Sequence, residues 1–180
     1  IREYKVSQLK FRPHKRREKT QLSDKELKEL EDLDRLDKGK EGLSLMISEL
    51  KPGERLDDLE RNGLMLIQHP GRFCYGVDAV LLSWFAKASE GERVLDFCTG
   101  TGVVPILMTA KTAASHFTGL EIQEEVAKMA SRSVVLNHLG DKVSIICGDL
   151  KNTKTLFGKG VFNVVTVNPP YMAGGSGLVG

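Results

Sequence analysis

Acidic and amide side chains stand at the ends of successive apolar segments in the second half of this chain. Asp96 follows the apolar pair VL, Glu121 follows HFTGL, and Asp149 follows KVSIICG. Asn168 comes directly after the apolar segment VFNVVTV. In a parallel sheet, ligands bind at the carboxyl ends of the strands. We therefore predict that these four residues belong to one binding site.

The turn that follows Asp96, FCTGTGV, contains Gly100 and Gly102. Glycines at this spacing allow a sharp turn from a strand into a helix and let a ligand approach the helix N-terminus closely. A dinucleotide-binding loop would have a third glycine where this chain has Pro105, and it would not normally place a carboxylate at the strand end. Since a carboxylate opposes a pyrophosphate, the turn favours a cationic ligand.

Two of the acidic residues suit a nucleoside. Glu121 lies about 20 residues after the glycines, where an acidic side chain can accept hydrogen bonds from both hydroxyls of a ribose. Asp149 can accept a hydrogen bond from an adenine amino group, with Leu150 against the ring. Three acidic residues at successive strand ends beside one glycine turn therefore indicate a ligand site.

The elements that position these residues are predicted from the alternation of apolar and helical segments after Leu64. Nearly all-apolar strands separated by helices predict an α/β fold, with a parallel sheet covered on both faces. The predicted strands are 64–68, 93–98, 116–122, 142–147 and 161–167, and the predicted helices are 77–88, 103–112 and 123–140. With 180 residues and 41% hydrophobic content, the chain can bury one substantial core.

The first 50 residues are highly charged, unlike the rest of the chain, and are predicted to form a charged, partly helical extension. The main domain is predicted to comprise residues 51–180. The segment SDKELKELEDLDRLDKG predicts a helix from the N-cap Ser23 to Gly39. Six basic residues lie between positions 10 and 19, although the whole chain has a net charge of only +2. This basic run is interpreted either as a solvated arm or as a contact for RNA phosphates, in which case Arg12, Arg16 and Arg17 bind substrate.

Composition also excludes several classes of protein. No apolar run approaches the roughly 18 residues needed to span a bilayer, and the basic start is not followed by a signal-type apolar core, so we expect a cytoplasmic protein without a membrane partner. Cys74, Cys98 and Cys147 are widely spaced, form no CxxC pair and have apolar neighbours. We therefore predict reduced, buried thiols, with no disulfide and no metal site.

Taken together, these motifs resemble those of S-adenosylmethionine-dependent methyltransferases with a Rossmann-like sheet, known as class I. The resemblance covers residues of roughly 55 to 180. It implies that the turn from Asp96 to Gly102 holds the methionine part of the cofactor, that Glu121 binds the ribose and that Asp149 binds the adenine. Further cofactor-binding residues implied by the resemblance are Thr99, Gly100, Ile122, Leu150 and Asn168. That family's sheet has seven strands, so we expect this chain to lack the last strands of a longer protein.

The motif Asn168-Pro169-Pro170-Tyr171 suits methyl transfer to a conjugated amino group. Such a nitrogen is a poor nucleophile because its lone pair is delocalised. If the Asn168 side-chain oxygen and the Pro169 carbonyl each accept one of its N–H bonds, the nitrogen can rehybridise. Consecutive prolines hold these acceptors rigidly. We predict catalytic roles for Asn168, Pro169 and Tyr171, with Pro170 and Tyr171 also contacting substrate and Tyr171 stacking on an extruded base.

The segment from residue 55 to 86 is similar to the corresponding part of bacterial methyltransferases that modify an adenosine in the anticodon loop of a valine tRNA. In that family the segment covers the cofactor, and the matching positions here are Phe73, Tyr75, Gly76 and Asp78. The resemblance therefore implies that Tyr75 and Asp78 bind the cofactor. It also implies methylation of an adenine amino group in RNA, and we expect a tRNA substrate.

Other functions stay open. Asn-Pro-Pro-Tyr also occurs in methylases of glutamine side chains, although those acting on release factors carry a larger helical N-terminal domain. N-methylation of a protein glutamine or of a ribosomal RNA guanine is the second hypothesis, and a non-catalytic RNA-binding module is the third. Asn168 together with the cofactor carboxylates argues against the third. The sequence leaves the modified position and the oligomeric state open.

Overall fold

The computed structural model describes residues 50–72 and 74–170 of the chain. Several predictions lie outside the described residues: the charged extension before residue 50 with its helix from Ser23 to Gly39, and the roles of Arg12, Arg16, Arg17, Phe73 and Tyr171. No helix in the described ranges is long and apolar enough to cross a membrane.

The first two strands form an antiparallel hairpin that the sequence analysis did not predict. Strand β1 (Arg55–Asp58) pairs along its whole length with β2 (Met65–Gln68). We predicted the second strand, at residues 64–68, as part of the parallel sheet, and that placement is wrong. We missed the first strand because RLDD is polar and only half-buried, so it lacks the apolar character of a sheet strand.

Four further strands form a parallel sheet, which confirms the predicted α/β class. They are β3 (Arg93–Phe97), β4 (His116–Glu121), β5 (Val143–Cys147) and β6 (Val164–Val167), and their order across the sheet is β5-β4-β3-β6. The chain moves outward from β3 to β5 and then returns to place β6 on the other side of β3. The strand order therefore reverses between β3 and β6, which is where ligands bind in such sheets.

Helices connect the strands and cover the sheet. Helix α1 (Val77–Phe85) precedes β3, α2 (Val103–Thr109) joins β3 to β4, and α3 (Glu124–Leu136) joins β4 to β5. All three end three or four residues earlier than predicted, because helical periodicity does not mark the last turn. We missed the short 3₁₀ turn Leu150–Asn152 and helix α4 (Thr153–Phe157) between β5 and β6.

The core lies between the sheet and its helices. The side chains of Val94, Phe117, Ile106 and Met108 are all almost completely buried. Each such side chain contributes roughly 1.5–3 kcal/mol relative to an exposed position. The strand ends that carry the polar residues are thus held by strands whose side chains are packed in this core.

Side chains of α3 and of the residue that caps its end hold the hairpin in place. The Asn137 side chain accepts a hydrogen bond from Met65 N (2.8 Å) and donates one to Met65 O (2.7 Å), while Ser133 Oγ accepts one from Ile67 N (3.0 Å). These contacts satisfy the edge of β2 that faces away from β1. Arg132 forms an ion pair with Glu54, whose side chain is only 6% exposed.

The cysteines are free thiols, as predicted, but the prediction that they are buried is wrong. Cys74 and Cys98 are half-buried, and Cys147 is exposed. Cys147 ends β5, which is an outer strand of the described sheet, so its apolar sequence neighbours do not cover it.

Candidate active site

A cleft of about 430 Å³ opens at the carboxyl ends of the parallel strands, beside the point where the strand order reverses. Eleven of the residues predicted to bind ligand or to act in catalysis line it: Tyr75, Asp78, Asp96, Thr99, Gly100, Glu121, Ile122, Leu150, Asn168, Pro169 and Pro170. The topology brings these residues together from five separate stretches of the chain. A volume of this size is typical of small-molecule sites.

Gly102 and Asp149 do not line the cleft. Gly102 is the N-cap of α2 with a φ of +81°, and a Cβ there would lie 3.4 Å from that of Ala130. The absence of a side chain at Gly102 thus allows the left-handed backbone of the turn and the close contact with α3. The Asp149 carboxylate accepts a hydrogen bond from Lys151 N (2.8 Å) and caps the 3₁₀ turn, so Leu150 is the cleft residue of this segment.

Asp96 lies beneath the floor of the cleft and is only 2% exposed. Its two carboxylate oxygens accept hydrogen bonds from different hydroxyl groups, one from Thr99 and one from Thr166, both at 2.7 Å. Burial raises the pKa of Asp96 to about 6, and the nearby charge of Glu121 also raises it, whereas the two hydroxyl donors lower it. Asp96 and the nearby Glu121 thus place two carboxyl groups at the floor of the cleft.

Glu121 links the glycine turn to the start of α3. One of its oxygens accepts a hydrogen bond from Gly100 N and the other accepts one from Gln123 N, both at 2.9 Å. Because each carboxylate oxygen has two lone-pair directions, each can accept a further hydrogen bond. Gly100 has a φ of +58°, a conformation that glycine adopts without strain, and a Cβ there would meet nothing within 4 Å.

The opposite wall of the cleft is formed by the segment before α1 and by the residues after β6. Asn168 is half-buried, and its Nδ2 donates a hydrogen bond to Asp78 Oδ2 (2.7 Å). Pro169 and Pro170 follow it at the exposed rim. The cleft thus has Asp96 and Glu121 on one side and the Asp78–Asn168 pair, followed by two prolines, on the other.

A buried glutamine holds the segment that carries Tyr75. Gln68, at the end of β2, is 1% exposed, and its Oε1 accepts a hydrogen bond from Tyr75 N (3.1 Å). Its Nε2 donates to Asp57 of β1. Sequence reasoning missed this residue, although a lone polar residue ending the apolar segment LMLI was a usable signal.

Sequence reasoning also missed lining residues that carry no charge. Cys74, Cys98 and Thr101 are among the lining residues, and the hydroxyl oxygen of Thr101 is buried and has no hydrogen-bond partner among the described residues. Thr101 lies between the two glycines of the turn, so the glycine spacing itself could have pointed to it. A buried hydroxyl without a partner costs free energy, and a ligand in the cleft can supply that partner.

Comparison with known proteins identifies the family. A family described as "Methyltransferase small domain" matches residues 63–178. Among curated proteins, the chain is similar to the tRNA1(Val) (adenine(37)-N6)-methyltransferases of a Flavobacteriaceae bacterium (29% identical over 104 residues, 58% of this chain and 44% of the relative) and of Bacteroides thetaiotaomicron (31% over 97 residues, 53% and 40%). It is also similar to a release factor glutamine methyltransferase of Thermodesulfovibrio yellowstonii (28% over 96 residues, 53% and 33%).

The chain spans less than half the length of these curated relatives. Among solved structures, it is similar in fold to TYW2 of M. jannaschii in complex with AdoMet, with a TM-score of 0.52, 17% identity, and coverage of 64% of this chain and 51% of that one. This likeness agrees with the Rossmann-like sheet predicted from the sequence. Since the family match spans well over half of the residues, the chain belongs to the methyltransferase small domain family.

Proposed function

We propose that the protein transfers a methyl group from S-adenosylmethionine to the exocyclic amino group of an adenine in tRNA. The observation that carries this proposal is the joining of two halves in one cleft, the glycine turn with Glu121 on one side and Asn168-Pro169-Pro170 on the other. The family of the chain is one of methyltransferases. The tRNA adenine substrate rests on the names of the curated relatives.

The described residues fit the proposed cofactor. Glu121 keeps acceptor positions suited to ribose hydroxyls, and Leu150 and Ile122 are apolar, exposed and part of the cleft wall. The two carboxyl groups of Asp96 and Glu121 at the floor suit a cation, and the Thr101 hydroxyl, which has no partner among the described residues, can bond to a polar ligand group. S-adenosylmethionine, once bound, supplies an electrophilic methyl group on a sulfonium. It is also the cofactor named for the M. jannaschii structure of the same fold.

The chain's own contribution to the transfer is to accept hydrogen bonds. The Asn168 side-chain oxygen and the Pro169 carbonyl each accept one N–H of the substrate amino group, which shifts its nitrogen towards a tetrahedral geometry with a localised lone pair. The fixed φ of Pro169 and Pro170 keeps these acceptors in place before the substrate arrives. Tyr171 stacks on the base and holds it against the cleft.

The tRNA itself needs contacts beyond the cleft. We assign these tRNA contacts to the basic run between residues 10 and 19, in which Arg12, Arg16 and Arg17 bind phosphate groups. Replacing these three and Lys15 with glutamine should make the salt dependence of RNA binding shallower by roughly one unit of slope per contact removed, without changing which base is methylated. An unchanged slope would remove the basic run from the RNA interface.

A second acceptor has specific support. The similarity to a release factor glutamine methyltransferase at 28% identity is close to that of the tRNA relatives, and a glutamine amide nitrogen is also conjugated. Both acceptors need the same pair of hydrogen-bond acceptors, so the cleft alone serves either. A ribosomal RNA guanine amino group is a third acceptor of the same chemistry.

The deciding experiment incubates the full-length protein with methyl-labelled S-adenosylmethionine and three acceptors in parallel: tRNA lacking its modifications, ribosomal RNA, and a protein extract. We expect label in tRNA, recovered as N6-methyladenine after nuclease digestion. Label in protein, recovered as N-methylglutamine, would replace the proposal with the second candidate. An Asn168→Ala variant in each reaction identifies background methylation.

A further inference from the structure

The contact between Asp78 and Asn168 joins residues that are 90 positions apart in the chain. Asp78 lies in the first turn of α1, Asn168 follows β6, and both line the cleft. The 2.7 Å distance from Asn168 Nδ2 to Asp78 Oδ2 is typical of a hydrogen bond to an ionised acceptor. This contact belongs to a side of the cleft where the chemical step of the proposed function takes place.

An ionised carboxylate can only accept hydrogen bonds. Asp78 therefore selects one of the two orientations of the Asn168 amide, the one in which the NH₂ group faces the carboxylate. The amide oxygen then lies on the other branch of the same planar group. In the reversed orientation the NH₂ group would be presented to the substrate nitrogen, and two donors would oppose each other.

We propose that Asp78 is a positioning residue that fixes the orientation of the Asn168 amide, so that its oxygen is presented to the methyl-accepting nitrogen. This inference rests on the proposed function and deepens it. It gives Asp78 a role in the chemical step, in contrast to the cofactor contact implied by the family resemblance.

Gly76 provides independent support from a different observation. A Cβ at position 76 would lie 2.5 Å from Asp78 Oδ1, which is far too close. The carboxylate thus occupies the space that a side chain at residue 76 would fill. A side chain at position 76 would therefore require Asp78 or the backbone to move from the arrangement in which Asp78 reaches Asn168.

The first test is a double-mutant cycle on kcat, with tRNA as the acceptor. Asp78→Ala should lower kcat roughly tenfold to a hundredfold, as expected for the loss of a hydrogen bond to a charged group. In the Asn168→Ala background the same change should have no further effect, because the group that Asp78 orients is gone. Equal losses in both backgrounds would overturn the proposal, since they would show that Asp78 acts independently of Asn168.

Two further variants separate positioning from cofactor binding. Asp78→Asn keeps an acceptor oxygen and should retain more of kcat than Asp78→Ala does. Gly76→Ala displaces the carboxylate without removing it, and should lower kcat in the wild type but not in Asp78→Ala. In Asp78→Ala, Asp78→Asn and Gly76→Ala alike, the Kd for S-adenosylmethionine, measured by calorimetry, should stay within about threefold of wild type. A loss found in Kd alone, with kcat unchanged, would assign Asp78 to the cofactor and overturn the proposal.

A readout without any methyl acceptor keeps this proposal distinct from the proposed function. The side-chain NH₂ signal of Asn168, assigned in a ¹⁵N spectrum by its absence in Asn168→Asp, should exchange with solvent at least about tenfold faster in Asp78→Ala. Unchanged exchange would overturn the proposal. If the wild-type protein methylated no RNA while this exchange difference was present, the proposed substrate would fail and the orientation of Asn168 by Asp78 would stand.

Discussion

The two sides of the cleft hold their polar groups in different ways. On the glycine-turn side, the two oxygens of Glu121 accept backbone N–H bonds from Gly100 and Gln123, and those of Asp96 accept two threonine hydroxyls. On the other side, the Asn168 amide donates a hydrogen bond to Asp78, which is 90 residues away in the chain.

Because of this difference, we expect substitutions on the two sides of the cleft to affect different properties, folding stability on one side and turnover on the other. The carboxylates of the glycine-turn side accept hydrogen bonds from the turn after β3, from the residue before α3 and from Thr166 of β6, so a change there should affect folding and cofactor binding together. The Asn168 side is assembled from a helix start and a strand end that need each other only for orientation. A change there should affect turnover with little effect on folding.

The largest expected effect is on the Asn168 side. Asn168→Ala should lower kcat roughly 10²–10³-fold, equivalent to about 3–4 kcal/mol, because the amide oxygen acts mainly as the nitrogen rehybridises. The free energy of unfolding and the Kd for S-adenosylmethionine should change little. Single-turnover kinetics and calorimetry on the same preparation measure both, and a loss confined to Kd would contradict the separation of the two sides.

The next effect concerns stability on the glycine-turn side. Since the pKa of Asp96 rises from 3.8 to about 6 on folding, the folded protein holds this proton more tightly. The resulting stability is complete below pH 3.8 and is lost as pH rises through 6, by up to about 3 kcal/mol. Asp96→Asn should therefore gain stability relative to wild type across this window, as measured by urea unfolding at a series of pH values.

Thr166 sharpens that measurement. Its hydroxyl donates to Asp96 and lowers the pKa of the carboxyl group. Thr166→Val should therefore move the loss of stability to a higher pH. A pH dependence that was identical in wild type and Asp96→Asn would show that Asp96 is not the group responsible.

A smaller effect is expected at Glu121. Glu121→Gln replaces one acceptor oxygen with an NH₂ group that faces a backbone N–H donor, so it should raise the Kd for S-adenosylmethionine about 30-fold, or about 2 kcal/mol. Glu124→Gln is a matched control on the next turn, where an exposed carboxylate pairs with Lys128. That control should change the binding free energy of S-adenosylmethionine by less than about 0.5 kcal/mol. Equal losses of affinity in the two variants would mean that the negative charge alone is responsible.

The smallest effect is expected at the hairpin. Gln68→Ala leaves Tyr75 N without its hydrogen-bond acceptor and should lower the free energy of unfolding by about 1–2 kcal/mol. Thermal unfolding measures this loss. If instead kcat fell as much as in Asp78→Ala, the hairpin would belong to the orientation of the catalytic side.

The parallel sheet was predictable because its strands, such as those containing Leu95 and Leu120, are nearly all apolar and lie between helical segments. The strand ends then identified Asp96, Glu121 and Asn168 as neighbours. The hairpin was not predictable, because RLDD is polar and its partner strand is satisfied on its other edge by the side chains of Asn137 and Ser133 on a distant helix. The short helix Thr153–Phe157 has too few residues for a helical period to be visible.

The sequence by itself determined the fold class, the family and the set of strand-end residues, because apolar patterning and glycine spacing are local properties of the chain. Only the tertiary structure decided which of those residues reach the cleft. It placed Leu150 in the wall in place of Asp149, set Gly102 against α3, and joined Asp78 to Asn168. These outcomes depend on distances between residues far apart in the chain, and such distances arise only once the core has brought the strand ends together.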